Sequence, residues 1–358
     1  MSAMTIDNEL VHYEVLGRGR PVILLHGWLG SWRYWVPAMQ HLSMKYRVYA
    51  LDLWGFGDSA RNPARYHFAA QTDLVIEFMA QLGIVKAALV GHDLGAAIAA
   101  HLAVKHADRV PRLLMVCPPL FELPERPPDS VRADAPPRPT SAASAAPRLV
   151  PQPPSPSGDG GAGLQAALEQ AARAIGEARL AASSKPSHNS TAPALPAADT
   201  AVAPPTADPV PSRPAPRPNP LKAHLATHER LELLKQHVEA GPDQDKLRIE
   251  IEKTDPLAFS ASLDVFDLVD TLRDLRALTS PAVLVYGDKD SLLPAPAKKT
   301  LATLTDGRRA FGVMSLAGTR HFPMLEDSAA FSRLLMAFLE APDVTKIALK
   351  DQWVRRVR

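Results

Sequence analysis

Several features that would assign a class of protein are scarce in this chain of 358 residues. It has a single cysteine, Cys117, which excludes an intrachain disulfide framework. That cysteine lies in an apolar run, so we expect a small buried residue and not a reactive thiol. No apolar stretch approaches the roughly 20 residues that span a bilayer. The first 30 residues also lack the basic, apolar and small-residue pattern of a secretory signal. These absences favour a soluble cytoplasmic protein.

An excess of charge of one sign is also absent. The 40 basic and 38 acidic residues leave a net charge of +2, which gives no reason to expect a nucleic acid or an acidic partner. No internal repeat is visible, and nothing in the sequence predicts a metal, a nucleotide or another cofactor.

Aromatic residues are missing from one long stretch. Residues 124–220 contain no Phe, Tyr or Trp but hold 22 of the 35 prolines, together with many Ala and Ser. Such a segment cannot bury enough apolar surface to offset its ordering entropy. We predict that residues 121–220 form a mostly disordered, proline-rich insert, with one short helix at 164–180. The insert is a candidate segment for binding a protein partner.

Short apolar runs alternate with helical patterns on both sides of the insert. Each run is stopped by Gly, Pro or Asp, which is typical of buried parallel strands. The alternation predicts an α/β fold with a mostly parallel sheet flanked by helices. An antiparallel edge strand at 10–15 is expected to pair with the run that follows it. The strand runs are 21–26, 47–52, 86–90, 112–117 and 282–286, and the helical stretches are 69–82, 94–105 and 329–339.

The insert falls inside one domain. Residues 1–120 and 255–345 must complete one sheet together, because neither half has enough strands alone. A long insertion is tolerated there, since the entropy of closing a loop grows only logarithmically with its length. Residues 221–254 have helical periodicity and are predicted to form a shortened lid, and residues 346–358 form a basic tail.

The pentapeptide Gly91-His92-Asp93-Leu94-Gly95 is the strongest functional signal. It follows a predicted strand and opens an Ala-rich helix, which is the context of a nucleophile elbow. Asp93 stands where Ser is common, and an ionised carboxylate there can attack carbon and form an ester. The alternative interpretation is that Asp93 only caps the helix.

Two later motifs favour catalysis. Gly287-Asp288-Lys289-Asp290 and Arg320-His321-Phe322-Pro323 each follow an apolar segment. The chain order Asp93, Asp290, His321 then matches nucleophile, acid and base, and Asp288 is the alternative acid. Oxyanion donors are expected from the backbone amides of Trp28, in His26-Gly27-Trp28, and of Leu94. His26, Trp28 and His92 are candidates for lining the substrate pocket.

With these motifs the sequence resembles the α/β-hydrolase superfamily over about residues 1–120 and 255–345. Further resemblance lies in residues 52–59 and 321–327. The aspartate in the elbow is similar to the branch that contains haloalkane dehalogenases and epoxide hydrolases. This resemblance implies an alkyl ester on Asp93, which water activated by His321 hydrolyses, on a haloalkane or an epoxide.

The chain departs from both types of enzyme. No tyrosine lies in 121–258, where epoxide hydrolases carry proton donors. Leu94 stands where haloalkane dehalogenases often carry a tryptophan, and Leu29 stands where such enzymes usually carry a proline. An esterase-like hydrolase and a non-catalytic interaction protein on the same scaffold are therefore alternatives. The lid histidines His224, His228 and His237 are expected at the surface, and we reject a metal site at the first two.

Overall fold

The computed structural model describes residues 2–120, 219–308 and 310–347. The predicted insert lies outside the described residues except for its last two positions, as do the helix expected at 164–180 and most of the basic tail. The described part is built on one eight-stranded sheet. Its strands are β1 (Ser2–Ile6), β2 (Glu9–Leu16), β3 (Arg20–Leu25), β4 (Tyr46–Leu51), β5 (Ala88–His92), β6 (Leu113–Val116), β7 (Ala282–Gly287) and β8 (Phe311–Leu316).

The sheet has the strand order β1-β2-β4-β3-β5-β6-β7-β8. The six strands from β3 to β8 are parallel to one another, whereas β1 and β2 join antiparallel at one edge. The expectation that the edge strand pairs with the following run was wrong. Strand β2 pairs with β4, because β3 already has a neighbour on each side, β4 and β5. Strand β1 was not predicted, since its residues are mostly polar or small.

The central strands are buried along their length. Every residue of β5, β6 and β7 is buried, as expected for parallel strands covered by helices on both faces. The α/β architecture with a mostly parallel sheet, which was predicted from the alternation of apolar runs and helical stretches, is confirmed. Cys117, which follows β6, is buried and unpaired, as the sequence predicted.

Twelve described helices flank the sheet or follow it. They are α1 (Val36–Leu42), α2 (Phe68–Gln81), α3 (Leu94–Lys105), α4 (Pro220–Thr227), α5 (Arg230–His237), α6 (Pro242–Lys253), α7 (Pro256–Ser262), α8 (Val265–Leu268), α9 (Thr271–Ala277), α10 (Lys298–Thr305), α11 (Pro323–Glu326) and α12 (Ser328–Glu340). Short 3-10 helices are Trp32–Trp35, Pro63–Arg65 and Val344–Lys346. Because α3 is rich in Ala, its backbone can lie close to β5 and β6, and the helix is buried on nearly every side.

Six of these helices, α4 to α9, lie between β6 and β7 in the chain. The predicted lid, 221–254, corresponds to α4, α5 and α6, and the helical region continues beyond it to Ala277. Leu225, Leu233 and Leu247 are buried and hold the first three helices on the protein. His237 is buried as well, so its expected surface position was wrong. It lies on the same face of α5 as Leu233 and Leu234, four and three residues earlier, respectively.

Among the described residues, no helix combines the length and the apolar character that crossing a bilayer would require.

Candidate active site

Asp93 lies in the sharp turn between β5 and α3. Its φ and ψ are 57° and −116°, a backbone conformation that non-glycine residues rarely adopt and that costs on the order of 1–3 kcal/mol. The turn is held by the Asp93 amide, which donates to the Val116 carbonyl at 2.9 Å. Gly91 is required because a Cβ atom there would lie 2.2 Å from the carbonyl oxygen of Gly95. The Asp93 side chain makes no capping hydrogen bond to α3, so its carboxylate is available for other contacts.

His321 joins the two aspartates predicted for the site. Its Nε2 lies 3.4 Å from Oδ2 of Asp93, and its Nδ1 lies 2.9 Å from Oδ2 of Asp290. The second oxygen of Asp290 accepts hydrogen bonds from the amides of Leu292 and Leu293. Asp290 is therefore held by contacts to both carboxylate oxygens. Through its contact with Nδ1 it orients the imidazole ring of His321.

Asp288, the alternative acid, lies elsewhere. Its side chain is exposed and accepts a hydrogen bond from the amide of Gly318 at 2.7 Å. The two aspartates are separated by one residue, Lys289, but only Asp290 turns inward to His321.

The loop after β3 approaches the Asp93 carboxylate from the other side. The Trp28 amide donates to Oδ2 of Asp93 at 3.3 Å. Gly27 permits this approach, since a Cβ atom there would lie 2.6 Å from Cβ of Asp93. Leu94 is the first residue of α3, where a backbone N–H has no acceptor within the helix. Of the two amides predicted as oxyanion donors, that of Trp28 contacts the carboxylate, and that of Leu94 follows Asp93 directly in the chain.

Two buried polar atoms at this point have no hydrogen-bond partner among the described residues: Oδ1 of Asp93 and Nε1 of Trp28. The Trp28 ring stacks on Phe266 of α8, with 5.4 Å between the ring centroids. An unsatisfied buried polar atom costs roughly 1–3 kcal/mol. Oδ1 of Asp93 is thus an unused acceptor and Nε1 of Trp28 an unused donor within the part of the chain that the structure describes.

His26 and His92, the other predicted pocket residues, use both ring nitrogens within the protein. His26 Nδ1 contacts the carbonyl of Gly27 at 2.9 Å, so it donates, and Nε2 accepts from the Leu53 amide at 3.0 Å. Burial lowers the pKa of His26, which keeps the ring neutral as this pattern requires. The ring therefore connects the loop after β3 to the loop after β4.

A chain of hydrogen bonds passes through Tyr34, which the sequence did not single out. The Gly27 amide donates to the Tyr34 hydroxyl at 2.7 Å, which leaves that hydroxyl to donate to Nδ1 of His92 at 3.0 Å. Nε2 of His92 then donates to the carbonyl of His321 at 2.9 Å. The chain links the oxyanion loop to the His321 loop. No local signal marks Tyr34, because its partners are far away in the sequence.

The electrostatics of the site favour an ion pair. Burial opposes a charge on His321, but Asp290 and Asp93 outweigh it and raise the pKa of the imidazole well above its ordinary value. Burial also opposes ionisation of Asp290, yet the contacts with His321 hold the pKa of that carboxyl well below its usual range. Burial raises the pKa of Asp93, and the hydrogen bonds from His321 and Trp28 counteract that rise.

The lid is tied to the loop that carries the oxyanion donor. Glu250 of α6 is buried and accepts hydrogen bonds from the Ser31 hydroxyl at 2.7 Å and from Nε of Arg33 at 2.8 Å. Asp93 and His321 have no surface exposed to solvent. A substrate can therefore reach Asp93 only when part of the structure moves.

Donor atoms of His92, Cys117 and His321 lie within 4.8 Å of one another, as a metal site would require. Protein groups already occupy these atoms: Nε2 of His92 donates to the His321 carbonyl, and Nδ1 of His321 contacts Asp290. Burial raises the pKa of Cys117 to about 12, which keeps the thiol protonated and a poor ligand. A second group, His12, Asp52 and Asp58, is joined by hydrogen bonds to the Asp52 carboxylate.

A family model described as alpha/beta hydrolase fold matches residues 20–327, most of the chain. The chain belongs to this family. Several solved structures share the fold. A hydrolase from Pseudomonas aeruginosa PA01 aligns with a TM-score of 0.58 and 16% identity over 95% of this chain and 98% of that one. A bromoperoxidase from Bacillus anthracis aligns with a TM-score of 0.59 and 18% identity over 95% of this chain and 99% of that one. At these identities the likeness shows the fold alone.

Curated proteins match this α/β-hydrolase over a shorter region. A soluble epoxide hydrolase from Corynebacterium sp. (strain C12) is 34% identical over 111 residues, which are 31% of this chain and 39% of that protein. A putative carbamate hydrolase, RutD, from Caulobacter vibrioides is 39% identical over 121 residues, 32% of this chain and 44% of RutD. The bifunctional epoxide hydrolase 2 of Rattus norvegicus is 32% identical over 31% of this chain and 21% of its own length. The chain thus spans less than half the length of these relatives.

Proposed function

We propose that this α/β-hydrolase acts on a small apolar electrophile, an epoxide or a haloalkane, through a covalent ester on Asp93. One observation carries the proposal. Asp93 holds a strained turn in which Oδ2 faces the Trp28 amide and His321, whereas Oδ1 is buried without a partner. A carboxylate with one oxygen held and one oxygen unsatisfied is oriented to attack.

In the first half-reaction, Oδ1 of Asp93 attacks the electrophilic carbon. A C–O bond forms, the bond from that carbon to the leaving atom breaks, and its electron pair goes to the leaving atom. The Trp28 indole Nε1, buried and without a partner, is a candidate donor to that atom. The Trp28 ring stacks on Phe266, which makes the surroundings of this indole apolar. This step requires an ionised Asp93, which the charge on His321 favours.

In the second half-reaction, ester formation itself prepares the base. The ester carries no negative charge, so His321 loses one of the two carboxylates that raise its pKa. The imidazolium then gives its proton to the alkoxide of an opened epoxide, or to solvent when the leaving atom is a halide, and the neutral ring accepts a proton from water. The water attacks Cγ of Asp93, and the amides of Trp28 and Leu94 stabilise the oxyanion. Asp290 keeps the ring oriented throughout.

Two relatives named as epoxide hydrolases support alkyl transfer, with 34% and 32% identity in the matched regions. A second candidate function is hydrolysis of a carbamate or an ester, which RutD at 39% identity favours. There Asp93 would attack an acyl carbon and form an anhydride, or would act as a base. Turnover of an activated ester that is lost in Asp93→Asn would support this second function.

The test is to trap the ester. His321→Ala is incubated with a panel of epoxides and haloalkanes, and the mass of the intact protein is recorded. We expect an adduct of the whole epoxide, or of the alkyl group without its halogen, which peptide mapping assigns to Asp93. The matched control is the double variant with Asp93→Asn, which should gain no mass. A panel that leaves no adduct would contradict alkyl transfer and would favour the acyl-hydrolase or the non-catalytic alternative.

A further inference from the structure

The loop that carries His321 is held by a carboxylate outside the triad, that of Glu326. This residue is the last of the short helix α11, and its side chain reaches back along the chain. Its Oε2 accepts a hydrogen bond from the amide of Arg320, and its Oε1 accepts one from the amide of Phe322 at 3.1 Å. These amides belong to the residues immediately before and after His321. One carboxylate therefore holds the backbone on both sides of the histidine.

The contacts of Glu326 go beyond the capping of α11. An acidic side chain in the first turn of a helix can accept from the amide of the residue that precedes the helix, here Phe322. The amide of Arg320 lies two residues further back, where it contributes nothing to the helix. A contact there fixes the residue before His321 instead.

The backbone of His321 is also held at its carbonyl, which accepts from Nε2 of His92 at 2.9 Å. Asp290 orients the imidazole through Nδ1, whereas the position of the ring relative to Asp93 depends on where the loop lies. Burial raises the pKa of Glu326, and the two amides and the positive charge of His321 counteract that rise. Glu326 thus lies within electrostatic range of the imidazole.

The two half-reactions require different things of His321. During ester formation it supplies a positive charge beside Asp93, and such an interaction changes only gradually with distance. During hydrolysis Nε2 must accept a proton from a water that attacks Cγ of Asp93, and this transfer requires the correct distance and direction. A displaced loop should therefore impair hydrolysis of the ester far more than its formation.

On the basis of the ester proposed at Asp93, we propose that Glu326 is a positioning residue whose carboxylate holds the loop of His321 in place for hydrolysis of that ester. The water oxygen bonds to Cγ of Asp93, and its proton goes to Nε2 of His321. The bond from Cγ to the oxygen that carries the alkyl group then breaks. That oxygen takes the proton from His321 and leaves as an alcohol, after which the Asp93 carboxyl returns its proton to His321.

The experiment measures the two half-reactions separately in the full chain, with styrene oxide and 1-bromobutane as probes. The rate of alkylation is the rate at which the intact protein gains mass in His321→Ala, with and without Glu326→Gln. The rate of hydrolysis is the rate at which the ester decays after a single turnover in rapid-quench samples of chains that retain His321.

Glu326→Gln keeps the size of the side chain but has one oxygen, so its N–H2 faces the second amide, donor against donor. We expect alkylation at the parent rate. Hydrolysis should slow by about 100-fold, the loss that a displacement of about 1 Å can cause. The ester should therefore accumulate during turnover. Glu326→Asp keeps two acceptors on a shorter side chain and should lie between Glu326→Gln and the wild type in its rate of hydrolysis.

The matched control is Asp327→Asn. Asp327 is the neighbouring carboxylate, and its Oδ1 accepts from the amide of Ala330 at 3.0 Å and caps α12. Asparagine caps a helix about as well as aspartate, so both rates should match those of the wild type. Circular dichroism checks the fold of each variant, and Glu326→Asp provides the comparison if Glu326→Gln does not fold.

The outcomes separate the positioning role from the ester itself. If the ester decays in Glu326→Gln as fast as in the wild type, the positioning role is overturned while the ester on Asp93 stands. If alkylation and hydrolysis slow by the same factor, Glu326 only supports the fold, and its positioning role is overturned as well. If His321→Ala gains no mass with either probe, the ester on Asp93 fails, and the role of Glu326 in its hydrolysis fails with it.

Discussion

Asp93 and His321 are 228 residues apart in the chain, and their Oδ2 and Nε2 atoms lie 3.4 Å apart in the interior of the protein. Neither side chain has exposed surface. Because both groups are buried, the ionised form of each depends on the charge of the other. A chemical change on Asp93 is therefore transmitted directly to the proton affinity of His321.

Asp290→Asn should reduce turnover much more than Asp288→Asn does. Asp290 accepts from His321 Nδ1 and stabilises its charge, whereas the exposed carboxylate of Asp288 accepts from the Gly318 amide. Replacing the orienting acid of a comparable triad costs about 10⁴-fold in kcat. We expect a loss on the order of 10²–10⁴-fold for Asp290→Asn. Steady-state kinetics on a substrate that alkylates Asp93 measures both variants, and equal losses would mean that Asp288 is the acid.

Tyr34→Phe should destabilise the protein and slow the reaction. The substitution leaves the Gly27 amide and Nδ1 of His92 without the hydroxyl that now links them. An unsatisfied buried group costs roughly 1–3 kcal/mol in the free energy of unfolding, which urea denaturation measures. Tyr13→Phe, a half-buried residue of β2, is the matched control and should change stability by less than about 0.5 kcal/mol. Equal losses of stability in the two variants would argue against the chain of hydrogen bonds through Tyr34.

The contacts of His12 predict that the free energy of unfolding depends on pH. Burial would lower the pKa of His12, but its hydrogen bond to Asp52 and the charges of Asp52, Asp58 and Glu14 outweigh burial and raise the pKa above 6.5. A histidine whose pKa is raised in the folded state contributes fully below its unfolded pKa, and the contribution is lost as the pH rises through the folded pKa. The stability lost in His12→Asn should therefore be largest in mildly acidic solution.

This prediction is measured by urea denaturation of the wild type and His12→Asn at a series of pH values. Taking the difference between the two proteins cancels the titration of His321 and of the other histidines, which both proteins share. The difference should shrink as the pH rises above 6.5. A difference that stays constant across the series would mean that the charge of His12 does not stabilise the fold.

Glu250→Gln should loosen the lid. Glu250 is buried and holds Ser31 and Arg33, and losing the charge on such a hydrogen-bonded group costs roughly 1–3 kcal/mol. Hydrogen exchange of the α6 amides should become faster. Glu252→Gln is the matched control, because Glu252 forms only an exposed pair with Arg248 on the same helix and such pairs contribute about 0.5 kcal/mol or less. Unchanged exchange in Glu250→Gln would show that the lid is held by its apolar contacts instead.

The elements that the sequence predicted well are those with a local pattern. The strand before Asp93 and the helix after it follow from a short apolar run and an Ala-rich stretch, and Gly91 follows from the close approach that the turn requires. The edge of the sheet was harder. The composition of β2 indicated a strand. Its pairing with β4 and not with β3 depends on which strand still has a free edge once β3 has paired with β5.

The lid histidines illustrate a second limit. His224 and His237 look alike in the sequence, each on a short helix with charged neighbours. Leu233 and Leu234 bring one face of α5 against the protein and bury His237 with it, whereas His224 stays half-buried. A helical period identifies a buried face only when the apolar positions are distinct, and in α5 they are few.

By itself the sequence determined the fold class, the turn at Asp93 and the order of Asp93, Asp290 and His321, because strand runs, helix periods and glycine-bounded turns are encoded by neighbouring residues. Only the tertiary structure decided that Asp290 and not Asp288 faces His321, that Tyr34 connects Gly27 to His92, and that His237 is buried beside Ser291. These contacts join residues from different strands and helices. Their geometry depends on how the whole sheet packs, and no local pattern specifies it.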